Sequence, residues 1–90
     1  MWVSITAHGA RAPYDRRVGF GDDAAVAGGC VAADERGPVF CADAIADPLT
    51  GLAAAASVLA ALDVGGSWML DVPLAGIATW ATSPAMATTR

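Results

Sequence analysis

The 90-residue chain has no lysine, and its five basic residues, all arginine, stand against nine acidic ones for a formal charge of −4. Phosphate backbones are bound by clustered Lys and Arg, so this composition excludes nucleic acid as a partner. Arg11, Arg16 and Arg17 fall close together in a loop, where they read as a solvated turn, with phosphate contact as the alternative. Cysteine is scarce as well. Cys30 and Cys41 form neither a metal-ligand spacing nor a disulfide framework, and they read as two buried thiols in a reducing cytoplasm. No metal site is expected. The opening stretch "MWVSITAHGARAPY" lacks a basic region followed by an apolar core, so it is not a signal peptide. The longest apolar run, residues 48 to 62, is shorter than the roughly 18 residues that span a bilayer, and no membrane partner is expected.

What the chain does have is apolar mass. Hydrophobic residues make up 56% before the 10 glycines are added, whereas globular chains reach only about 45–50% with glycine included. Ninety residues make one domain at most, with a modest core. Such a composition in so short a chain points to faces that pack on further polypeptide.

"WVSIT", Trp2 to Thr6, is β-branched and aromatic and predicts a strand. The segment "AHGARAPYDRRVGFG" is a loop, punctuated by Gly9, Pro13, Gly19 and Gly21. Asp22 and Asp23 then open a short helix through "AAVAGG", stopped by Gly28 and Gly29. Two short extended segments follow around a turn at Asp34 to Pro38. From Pro48 to Leu62 the run is rich in Ala and Leu and apolar nearly all round, which predicts a buried helix. Ser67 to Leu74 reads as a strand, and "LAGIATWA" starts another helix. Strand, helix, strand, helix in that order is α/β, with buried, parallel strands.

Asp47 stands at the mouth of the apolar helix. As a structural residue it is a helix cap: Asp accepts the orphan backbone N–H groups and Pro48 suits the first helical position. The same place leaves room for chemistry, because donors and dipole at a helix N-terminus favour the anion that attacks an activated carbonyl. Asp43, Asp71, Asp22 and Asp23 compete with it less well: only Asp47 pairs with the start of the long helix.

Four segments in register carry a family resemblance. "ADPLTGLAAAASVLAAL" resembles the family III CoA-transferases, the CaiB/BaiF group, in which an Asp opens a long helix as D-x-x-T/G-G followed by an apolar run. "WVSITAHG" is similar to that family's V-S-I-T-G-F-G strand and loop, and "APYDRRVGF" to its G-P-Y-x-x-R-x-G-F. "GGSWMLDVPLAGIATW" looks like its G-x-G-x-x-V-D-V-S-L strand and following helix. Order and spacing agree from residue 2 to about residue 80.

The resemblance implies a Rossmann-like α/β domain of which residues 1–90 are a partial, central slice, without the N-terminal nucleotide-binding half or the C-terminal portion. It implies that Asp47 is the catalytic nucleophile. Asp47 would attack an acyl-CoA thioester to give an aspartyl-acyl anhydride and CoA thiolate, then carry CoA as an enzyme thioester until an acceptor carboxylic acid collects it. Thr6, Ala7, His8 and Gly9 match the glycine loop that lies against CoA and the acyl group. Ala7 stands at the family's first Gly, and its methyl works against a tight approach. His8, at the family's aromatic position, reads on its own as a surface residue and by resemblance as a pocket-lining one. Neither metal nor redox cofactor is implied, and full-length relatives are homodimers.

Acyl-CoA racemases share the fold and use a His and an Asp as paired bases. The position nearest their His is Phe20, which moves no proton, and this favours the transferase. A partial domain is expected to be inactive alone, and the contrasting expectation is a small interaction module that joins a longer paralogue.

Overall fold

The computed structural model describes residues 1–83. Strand β1 (Trp2–Thr6) opens the chain, as its β-branched and aromatic residues predict. A loop containing a single 3-10 turn at Tyr14–Arg16 leads into helix α1 (Gly21–Ala27). Strands β2 (Val31–Asp34) and β3 (Gly37–Phe40) form a hairpin whose turn is held by Asp34, whose Oδ1 accepts the Arg36 amide at 2.7 Å. Helix α2 (Ala46–Val64), strand β4 (Met69–Pro73) and helix α3 (Leu74–Ala81) follow.

The result is α/β, as the order of elements predicts. β1 and β4 pair in parallel, from Trp2 beside Met69 to Thr6 beside Pro73, and β2 pairs with β3 antiparallel. A parallel pair needs a long crossover, and α1, the hairpin and α2 together make it.

Several boundaries move. α2 runs from Ala46 to Val64 rather than from Pro48 to Leu62, and ends where the Gly65 amide bonds the Ala61 carbonyl at 2.9 Å, Gly65 itself adopting φ 79°. β4 is shorter than Ser67 to Leu74 because Leu74 is taken into α3. At 19 residues α2 is long and apolar enough to cross a membrane, so the length argument against one does not hold. In this fold it packs on α1, α3, β1 and β4.

The core is built mainly from small side chains, Ala24, Ala25, Cys30, Ala46 and Ala78 around Leu74, with Ile45 packed against them. Small residues allow helices to approach closely. At Gly28 a β-carbon would come 2.4 Å from the Ala75 carbonyl oxygen and 2.6 Å from Ala78 Cβ. Thr79 Oγ1 closes this α1–α3 seam by donating to the Gly28 carbonyl at 3.0 Å.

Two expectations about burial are overturned. α2 is not a buried helix: Ala46, Thr50, Ala54 and Ala61 are buried along it, while Leu52, Leu59, Leu62 and Val64 are exposed. The strands are not buried either, since Val72 is their one buried residue. The physical reason is the same in both cases. Among the described residues each of the two sheets has two strands and three helices pack around them, so an element apolar on all sides finds cover on one. Trp2 at 68% and Met69 at 70% exposure show how large the uncovered apolar surface is.

Candidate functional site

The parallel pairing of β1 with β4 brings Thr6 beside Pro73 and puts the loop that follows Thr6 over the start of α3. Ala7, Gly9 and Ala10 of that loop are each tied down by a backbone hydrogen bond. Thr6 Oγ1 accepts the Gly9 amide at 2.9 Å and donates to Asp71 Oδ1 at 3.4 Å. The other carboxylate oxygen of Asp71 accepts the Ala10 amide at 2.9 Å. The Ala7 carbonyl accepts the Ala75 amide, at the head of α3, at 3.0 Å. Asp71 is therefore the structural clamp of the loop, and the hydroxyl of Thr6 is committed to the same purpose.

The tied loop lies against Gly19. A β-carbon on Gly19 would sit 2.8 Å from Ala7 Cβ, 3.1 Å from His8 Nε2 and 3.3 Å from Asp23 Oδ2. Two residues further, Gly21 meets the other candidate. A β-carbon there would come 2.6 Å from Asp47 Oδ2 and 2.7 Å from both Asp47 Cγ and Ala44 Cβ. The segment Gly19-Phe20-Gly21 is thus the floor on which His8 rests at one end and Asp47 at the other.

Asp47 is not the cap of α2. The cap position is Ile45, already in right-handed helical conformation, and Asp47 is the second residue of the helix. The turn is set earlier: Ala44 takes φ 47°, and its amide donates to Asp22 Oδ1 at 2.6 Å. That contact joins the head of α1 to the head of α2, and the Asp47 amide is then taken by the Ala44 carbonyl at 3.0 Å. The Asp47 carboxylate is left exposed and makes no hydrogen bond or ion pair within the described residues. It remains in the first turn of a 19-residue helix, where the dipole favours a negative charge.

The competing acids are accounted for. Asp22 holds Ala44, and Asp23 Oδ1 accepts the Phe20 amide at 2.6 Å, so both serve the head of α1 as first-turn acids. Asp43 is exposed in the bends ahead of α2. Arg11, Arg16 and Arg17 are exposed, as a solvated turn requires. The two thiols differ from expectation: Cys30 is buried but Cys41 is exposed, because β3 ends at Phe40 and the chain beyond it lies at the surface. Burial pushes the Cys30 thiol above its ordinary value, and the neighbouring Cys41 thiol adds to the rise. The described residues contain no cluster of metal-ligating side chains.

The arrangement is an unpaired, exposed carboxylate in the first turn of a long helix, set against glycine backbone. It sits in an α/β unit with a parallel strand pair. The family model of CoA-transferase family III matches residues 1–90, and the chain belongs to that family. No curated protein matches it.

Reading the residues alone missed Gly19 and Gly21, which appeared only as punctuation of a loop. Their signal was the spacing Gly-Phe-Gly directly ahead of paired acids. It also missed Asp22 as the group that sets the approach to α2.

Proposed function

We propose that Asp47 is the acyl-carrying nucleophile of an acyl-CoA:carboxylate CoA-transferase of the CaiB/BaiF type. The carboxylate attacks the thioester carbonyl and expels CoA thiolate, forming an aspartyl-acyl anhydride. The thiolate returns to give an aspartyl-CoA thioester and releases the donor acid, and an acceptor carboxylate then collects the CoA. Both half-reactions run on the carboxylate and the thiolate, so CoA enters as a substrate and no metal or redox cofactor has a step to perform. Ala7, His8 and Gly9, held by Thr6 and Asp71, line the approach to the reacting carbonyl. The observation that carries this reading is the Asp47 carboxylate itself, unpaired, exposed and seated on Gly21, in a chain of this family.

Phe20 supports transfer over racemisation, since the position nearest the racemase base holds a side chain without a proton to move. The exposed leucines of α2 and the exposed face of β1 support a segment that works within a larger, dimeric cytoplasmic enzyme and has no activity alone. A non-catalytic module that pairs with a longer relative is the contrasting reading. Transfer assays on the chain alone and with such a relative separate the two.

The decisive substitution is Asp47→Asn in an active protein carrying this segment. CoA transfer falls by orders of magnitude and the hydroxylamine-trappable acyl-enzyme disappears, while the folding midpoint holds. Transfer at a near-normal rate overturns the assignment.

A further inference from the structure

The hairpin ladder ends at Val31 opposite Phe40, and the next residue on each strand is a cysteine. Carried one residue past this open end, the register of the hairpin sets Cys30 opposite Cys41. Directly opposed residues of an antiparallel pair hold their Cα atoms about 4.5–5.5 Å apart. A disulfide spans roughly 4.4–6.8 Å between Cα atoms. The Cys41 thiol lies near enough to add to the upward shift of the Cys30 thiol. The Cys30 amide is turned away to the Ala25 carbonyl at 2.8 Å, so the Cys30 N–H does not bond across to Cys41.

We propose that Cys30 and Cys41 are a redox modification site, closing to an intramolecular disulfide at the base of the hairpin in exchange with a small-molecule disulfide such as oxidised glutathione. Exposure fixes the order of events. The thiolate of exposed Cys41 attacks the glutathione disulfide, forming a mixed disulfide and releasing one glutathione thiolate. Buried Cys30 then loses its proton to solvent, its sulfur attacks the Cys41 sulfur, and the second glutathione leaves. Two protein thiols are oxidised, and one glutathione disulfide is reduced to two glutathiones. Since burial holds Cys30 in its thiol form, the closing step quickens as pH rises. The bond would tie the end of α1 to the connection through residues 41–45, the segment in which Ala44 meets Asp22 ahead of Asp47.

The test treats the reduced full chain with oxidised glutathione and follows its mass with time, folded and in urea, at two pH values. The expected product has lost the mass of two hydrogens and both free thiols, contains a peptide linking Cys30 to Cys41, and forms faster in the folded protein than in urea. In Cys30→Ser the glutathione adduct on Cys41 accumulates and persists. The inference is overturned if the unaltered chain stops at a stable Cys41 adduct, links only to a second chain, does not react, or closes no faster folded than unfolded. The unaltered chain decides the matter even if the variant does not fold.

Discussion

The carboxylate of Asp47 lies directly over Gly21, so close that a β-carbon on Gly21 would be 2.6 Å from Asp47 Oδ2. One helix head is the seat of another's acid. Ala44 is equally near, at 2.7 Å, and the two neighbours differ in what they can yield. The Asp47 carboxylate can swing towards solvent, whereas the Ala44 methyl is fixed to a backbone held by Asp22.

Gly21→Ala therefore has two separable effects. Overpacking against Ala44 destabilises by about 1–3 kcal/mol, read from the denaturant midpoint. On the proposed role of Asp47, displacement of its carboxylate in an active protein carrying this segment lowers CoA transfer by more than that loss of folded protein explains, read at a temperature where the variant is fully folded.

Asp22 and Asp47 exchange the roles that capping rules give them. Asp22→Ala removes the acceptor of the part-buried Ala44 amide and costs about 1–3 kcal/mol. Asp47→Ala, at an exposed side chain without a partner, loses only the favourable dipole interaction, about 0.3–1 kcal/mol. Urea titrations of the two variants check this, and equal losses would restore Asp47 as a structural cap.

Asp71→Ala frees the loop that carries Ala7, His8 and Gly9. The amide of Ala10 loses its acceptor, and its hydrogen exchange quickens by at least about tenfold, the equivalent of one lost hydrogen bond of about 1.4 kcal/mol. Asp71→Asn retains an acceptor oxygen and recovers part of the protection.

Gly28→Ala drives a methyl to 2.4 Å from the backbone oxygen of Ala75. Backbone cannot rotate away as a side chain can, so α1 and α3 must separate along the Ala78 and Thr79 seam. The cost falls at the upper end of about 1–3 kcal/mol, visible as a lowered thermal midpoint, and Ala78→Gly restores part of it.

Cys30 links stability to pH. Its folded value lies above the ordinary 9.0, so the stability it contributes is fully present below that pH. As pH rises past 9.0 the unfolded chain ionises first, and the contribution is lost up to the folded value. Unfolding free energies measured from pH 7 to 11 fall more steeply for the unaltered chain than for Cys30→Ser.

The order of elements was fixed by local chemistry. β-Branched and aromatic residues at Trp2–Thr6, Asp22 and Asp23 ahead of an alanine run, the turn within Asp34 to Pro38 and the Ala- and Leu-rich stretch each act within a few residues, and each gave the expected type of element with ends that shift by a residue or two. The family motifs singled out Asp47 for the same reason, being themselves local strings. Tertiary structure decided the rest. Whether Asp47 caps α2 depends on the conformation of Ala44, and that is held by Asp22 on another helix. The need for glycine at positions 19 and 21 comes from Ala7 with His8, and from Asp47 with Ala44, arriving there from distant segments. Whether an apolar helix is buried depends on what covers it, and for α2 one seam of small residues is covered while Leu52, Leu59 and Leu62 are exposed. Propensity acts along the chain, whereas burial, close approach and hydrogen-bond partners are set between segments.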